Sequence, residues 1–210
     1  LYLNAFNYTS VQKILLFTIT TPFYVTMISQ IINKKIKLFA FFIALISILG
    51  ALVIRMTDFN TGDFVGFIFI QLANVSFALG QVLYKIIKAD NKISTNVYTD
   101  FSFFFIGASF ITLIGLMIST SSYTQPSSTN QWLLVLWLGG GASGIGYYFW
   151  NHGATQVRVE TLATMNNLVI PLGLFIEVLF FSGTYNYQTF AIGSVIIISS
   201  IIASLRFDNN

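Results

Sequence analysis

Apolar residues run for about twenty positions at a time along this chain, and polar residues collect between the runs. Residues 14–33, 38–54, 64–84 and 178–205 contain no Lys, Arg, Asp or Glu, and neither do residues 101–157. A helix needs about 20 apolar residues to cross the hydrocarbon core of a bilayer. Stretches such as FFIALISILGALVI (41–54) show no two-residue alternation, which excludes transmembrane strands. The pattern predicts helices over about 11–32, 36–55, 64–86, 97–119, 131–151, 160–182 and 187–206, with residues 1–8 ending an earlier helix. Turn signals fall between them: Asn33-Lys34-Lys35, residues 58–63 with Asn60 and Gly62, residues 121–131 with Pro126, and Ser182-Gly183-Thr184. The expected fold class is therefore all-α, a polytopic transmembrane helical bundle with about seven spans.

Composition agrees. Hydrophobic residues make up 55% of the 210 and charged residues 8%, too few to cover a soluble domain, in which about 25% are charged. With no cysteine, disulfides, thiolate metal sites and cysteine nucleophiles are excluded. The net charge of +3 does not indicate nucleic-acid binding, because the basic residues are few and serve to orient the helices. Cytoplasmic loops collect Lys and Arg. Lys34, Lys35 and Lys37 follow the first full span, Lys85, Lys88 and Lys92 the third, Arg158 the fifth, and Arg206 closes the seventh. Only Lys13 and Arg55 fall on the other side, which predicts a cytoplasmic C-terminus.

Pro22 and Pro171 each sit about halfway along a span, at an offset of 149 residues. At the same offset Ala5 matches Ala154, Ala44 matches Gly193 and Gly50 matches Ser199. Five spans separate the two proline helices, so the copies run in opposite directions. Inverted repeats of this kind build transporters, with the substrate site near the midplane where the repeats meet.

In these features the chain resembles the EamA-type members of the drug/metabolite transporter superfamily. GGGASGIGYYFWNHGATQVRVETLATMNNLVIPLGLFIEVLFF (139–181) is similar to that family's eighth and ninth helices, and FAIGSVIIISSIIASL (190–205) to its tenth. LYLNAFNYTSVQKILLFTITTPFYVTMISQII (1–32) resembles the end of helix three followed by helix four. The resemblance implies a ten-helix inverted-repeat fold, of which residues 1–56 would be the remainder of the first repeat and residues 64–207 the second. It also implies that this chain is an N-terminally truncated fragment. The family's Gly-Glu pair after each proline is replaced here by Lys34-Lys35 and Gly183-Thr184.

Candidate site residues come from polar groups inside apolar runs, where an amide or carboxylate is costly unless it faces protein or water. Gln71, Asn74, Ala78, Gln81 and Lys85 share one face of the third span at helical spacing. Asn74 and Gln81 are the substrate candidates; the competing role is bonding between helices. Asn166, Ile170, Gly173 and Glu177 share a face of the sixth span, and Asn167 adjoins them. Glu177 would bind a cationic group or carry a coupling proton, or else stay protonated against a neighbouring helix. Pro22 and Pro171 would kink their helices and free carbonyls near Thr18 and Asn167. Gly140 and Gly144, and Ala142 and Gly146, have small-xxx-small spacing for close packing, and Tyr147 is the aromatic candidate for stacking on a ligand.

His152 stands alone, so no metal is expected. No catalytic constellation and no cofactor motif occur. The expected function is a secondary transporter in a cell membrane, most simply a bacterial inner membrane. It would move a small metabolite such as an amino acid by alternating access. The alternatives are a membrane-embedded enzyme and a seven-helix receptor-like protein. Expected partners are the substrate and the lipid bilayer, without nucleic acid, and a homodimer is left open.

Overall fold

The computed structural model describes residues 1–55, 63–89, 97–118, 125–181 and 186–206. The turn residues Asp58, Asn60, Gly62, Ser182, Gly183 and Thr184, and the basic Lys92, lie outside them. Among the described residues every regular element is a helix. In order come α1 (Tyr2–Ala5), α2 (Val11–Thr18), α3 (Thr21–Asn33), α4 (Leu38–Arg55), α5 (Phe64–Ala89) and α6 (Val97–Ile118). They are followed by α7 (Thr129–Leu136), a π-helix (Trp137–Gly146), α8 (Tyr147–Gln156), α9 (Val159–Met165), a 3₁₀ turn (Asn166–Leu168), α10 (Val169–Phe181) and α11 (Tyr187–Arg206). Five stretches are long and apolar enough to cross a membrane: Lys13–Asn33, Phe64–Ala89, Tyr98–Ile118, Val159–Phe180 and Tyr187–Arg206. Leu38–Ile54 is a shorter apolar helix. The chain is a multi-pass helical membrane protein.

Polar side chains set the helix ends. Ser10 and Ser128 accept the backbone N–H of Lys13 and Gln131, and Asn186 accepts those of Gln188 and Thr189, supplying first-turn donors that lack partners within the helix. At the other end of α3, Lys34 adopts a left-handed conformation (φ 51°) and the N–H of Lys35 returns to the carbonyl of Gln30. The Gln30 amide then clasps both backbone groups of Lys37, at 3.0 Å each, and the chain turns into α4.

The described residues form two compact units, 1–84 with 157–210, and 85–156. In the first, α4 and α11 pack at glycines. A Cβ on Gly193 would sit 2.4 Å from the carbonyl oxygen of Gly50, and one on Gly50 2.9 Å from that of Gly193, so only glycine permits this approach. Ile19, Ala51, Ile170, Ile197 and Ile201 fill the core beside it. A second core joins Ala5, Ile14, Phe17 and Ile70. The outward faces are apolar, with Phe42, Leu45 and Leu49 of α4 and Ile192, Val195 and Ile198 of α11 exposed. Asn74, Gln81, Asn166 and Asn167 are buried instead. That inversion of the soluble pattern is what lipid demands, because hydrocarbon solvates apolar faces and leaves amides to find partners inside.

In the second unit Lys88 pairs with Asp100, and Tyr98, Tyr148 and His152 stack in series at 6.0 and 6.1 Å. The glycine-rich stretch expected to pack closely is π-helical, and a Cβ at Gly140 would meet nothing within 4 Å. The i→i+5 winding of a π-helix separates residues that an α-helix stacks at four.

Candidate binding site at two helix breaks

The first break is written in the segment Thr18-Ile19-Thr20-Thr21-Pro22. Pro22 has no N–H to give the Thr18 carbonyl, and its ring crowds that turn. Helix α2 stops at Thr18, and α3 begins at Thr21 with Pro22 in its first turn. The hydroxyl of Thr21 donates to the Thr18 carbonyl at 2.7 Å, in place of the missing N–H. The Phe17 carbonyl accepts from Gln71 Nε2 at 3.1 Å and Asn74 Nδ2 at 3.0 Å. Hydroxyls of Thr20 (2.7 Å) and Tyr24 (3.1 Å) donate to Gln71 Oε1, and Asn74 Nδ2 also reaches Thr20 Oγ1 at 3.1 Å. Side chains thus do what water does for a broken helix outside a membrane.

The second break precedes Pro171. There α9 ends at Met165, Asn166–Leu168 wind as a 3₁₀ turn, and α10 resumes at Val169. Its amides point in two directions. Asn167, 1% exposed, donates to the Ile19 carbonyl at 3.2 Å, so one break is bonded to the other. Asn166 and Gln81 exchange a reciprocal pair: Gln81 Nε2 donates to Asn166 Oδ1 at 3.1 Å, and Asn166 Nδ2 to Gln81 Oε1 at 3.2 Å. Asn166 Nδ2 also donates to the Leu162 carbonyl at 2.9 Å.

Ion pairs lie near both ends of α2–α3. Near its start Asp63 accepts from Thr9 and Lys13, at 2.6 Å each. Just past its end Glu160 pairs with Lys37 at 2.9 Å and with Arg158 at 3.4 Å, beside a cavity of about 240 Å³.

Of the expected residues, Asn74, Gln81, Asn166 and Asn167 come together in the first unit, at the breaks that Pro22 and Pro171 introduce. Gln71 joins them, as do Thr20 and Tyr24, which sequence reasoning passed over; the run of hydroxyls around the proline was their one signal. Tyr147 belongs to the second unit, where its ring lies 6.0 Å from Phe101. Lys85 and His152 are also there, lining a cavity of about 250 Å³ with Lys88 and Gln156, and Lys85 Nζ donates to the Ala154 carbonyl at 3.1 Å. Glu177 lies on α10, but its side chain is outside the described residues. The face expected to run through Gly173 is turned: Gly173 is exposed and Leu174 is buried. A 3₁₀ segment lies between Asn166 and Gly173, so the α-helical spacing on which that face was drawn does not hold across it. No group of three or more His, Cys, Asp or Glu that could hold a metal occurs among the described residues.

No family model matches the chain. It is 37% identical over 202 residues to a protein of Pseudomonas aeruginosa named probable biotin transporter, a match covering 96% of this chain and 70% of that one. It is 34% identical over 199 residues to the biotin transporter of Escherichia coli K12 and 33% identical to that of Salmonella typhimurium. Each of these matches covers 94% of this chain and 66% of the relative, so the chain spans just under two thirds of their length. A solved protein crystal structure aligns with all of this chain and 71% of its own at a TM-score of 0.77 and 17% identity, which shows a shared fold. These findings correct the resemblance drawn above: the relatives are named biotin transporters, and no family model, EamA-type included, matches. Small residues, aromatic pairs and mid-helix prolines recur wherever membrane helices pack and kink, so that pattern does not single out a family.

Proposed function

We propose, since this chain belongs to the family of the biotin transporters, that it moves biotin across a membrane by alternating access. It is a membrane transporter rather than an enzyme, as its relatives' names state of them. The substrate proposed is biotin in place of the amino acid expected at first. The observation that carries the site reading is the direct bond between the two helix breaks, from Asn167 to the Ile19 carbonyl, with Gln81, Asn166 and Asn74 buried around it. Transporters place substrates where helices are interrupted near the midplane, because only there does irregular backbone offer polar groups inside the membrane. Biotin suits such a place: it is small and amphipathic, with a ureido ring and a carboxylate on an aliphatic chain.

We place seven spans in this chain, the last of ten in an inverted-repeat fold, with repeats at residues 1–56 and 64–207. The C-terminus is set in the cytoplasm of a bacterial cell. Asn74, Gln81, Asn166 and Asn167 form the substrate site, with Glu177 as a further contact on the path; Tyr147, in the second unit, is proposed separately as a ring on which substrate stacks. The breaks ahead of Pro22 and Pro171 serve as the flexing points of the two repeats. The test is growth of a bacterial host that can neither make nor import biotin, supplied with biotin at nanomolar levels. Expression of this protein restores growth on this account. A protein that reaches the membrane and leaves the host unable to grow would overturn it.

A further inference from the structure

The reciprocal Gln81–Asn166 pair has a chemistry that points to one part of a ligand. Each carboxamide offers an N–H beside a C=O, and the two edges close on each other through bonds of 3.1 and 3.2 Å. Gln81 is 1% and Asn166 9% exposed, so neither edge has bulk water as an alternative partner. Among the described residues the Gln81 side chain is held by this pair alone. Asn166 is anchored further by its bond to the Leu162 carbonyl at 2.9 Å, and it opens the 3₁₀ turn. Gln81 has the longer stem and lacks that backbone anchor among the described residues.

A group that replaces one partner of such a pair must itself present a donor beside an acceptor. A carboxylate only accepts and a guanidinium only donates, so either leaves a buried group unpaired. A cyclic ureide carries an N–H next to its C=O on each side, fixed in the ring, and matches a carboxamide edge without reorganisation.

We infer that Gln81 and Asn166 are the specificity-determining residues for a cyclic ureide, closed on each other when substrate is absent and opened, when it is present, so that each binds one of the ring's two N–H/C=O edges. This rests on the biotin reading above and assigns the ureido ring, rather than the carboxylate, to the helix breaks. No buried amide loses its partners in the exchange, since the two bonds between the amides break and two form at each of them with the ligand. Selection comes from mismatch, because a buried donor or acceptor left unpaired weakens binding roughly 10- to 100-fold.

The experiment is competition against uptake of labelled biotin in cells expressing the protein. Desthiobiotin, which keeps the ureido ring, and 2-iminobiotin, whose protonated guanidine only donates, are the competitors. In the unmodified protein desthiobiotin competes and 2-iminobiotin is at least tenfold weaker. Gln81→Glu, and separately Asn166→Asp, turn one edge into an acceptor-only carboxylate; each variant lowers biotin uptake and improves 2-iminobiotin relative to desthiobiotin. Equal competition by the two compounds in the unmodified protein overturns the inference while leaving biotin transport intact. So does an unchanged ranking in a variant that reaches the membrane. Absence of biotin uptake by the unmodified protein overturns the biotin reading itself.

Discussion

Ahead of Pro22 the helix stops at Thr18 and resumes at Thr21; ahead of Pro171 it tightens into a 3₁₀ turn at Asn166–Leu168. The same residue type opens both helices, yet the two are repaired differently. The first break is rich in acceptors: the carbonyls of Phe17, Thr18 and Ile19 all take side-chain donors. One of those donors is its own Thr21, and the rest arrive from α5 and the second break. That second break brings donors of its own, Asn166 and Asn167, and sends them to Gln81 and to Ile19. An interrupted helix in lipid leaves carbonyls that hydrocarbon cannot solvate, so the acceptor-rich break is stable only beside donors. The two breaks depend on each other chemically, and the dependence runs mainly through Asn167.

The largest effect follows from cutting that link. Asn167→Leu leaves the Ile19 carbonyl buried without its donor, at a cost of roughly 1–3 kcal/mol. The expected result is a lowered thermal unfolding midpoint in detergent together with loss of biotin uptake. An unchanged midpoint would show that the breaks do not support each other. Asn74→Leu acts on a carbonyl that keeps Gln71, so its cost falls to about 0.6 kcal/mol, the average for an interhelical bond in a membrane protein. Stability by the same assay should drop visibly less than for Asn167→Leu, and equal drops would contradict the asymmetry. The smallest change is Tyr24→Phe. Gln71 Oε1 retains the Thr20 hydroxyl at 2.7 Å, and a shift below about 0.5 kcal/mol is expected.

Much of the helical layout was legible in the residues. Residues 187–206 and 160–182 were bounded by charge or turn signals, and the structure has Tyr187–Arg206 and Val159–Phe181 there, the latter interrupted. Long uncharged runs have few other solutions in lipid, which makes such lengths readable. The prolines stand where α2 gives way to α3 and α9 to α10, because the missing N–H is a local fact. Its consequence was not local: which donor reaches which carbonyl depends on how α5 and α9 lie beside α2, and no spacing encodes that. Gln81 and Asn166 were each singled out as buried amides, but their pairing appeared only with the tertiary contacts. The π-helix at Trp137–Gly146 was missed for a similar reason, since a glycine run permits several windings and favours none. The family was misread because packing features shared by many membrane bundles were taken for one family's mark.

The central claim is that biotin passes through the joined helix breaks. The most direct measurement is counterflow of labelled biotin into proteoliposomes loaded with unlabelled biotin, comparing the unmodified protein with Asn167→Leu. The account predicts transient accumulation of label with the unmodified protein and little or none with the variant. Equal accumulation by both would remove the breaks from the transport path, and none by the unmodified protein would remove biotin as its substrate.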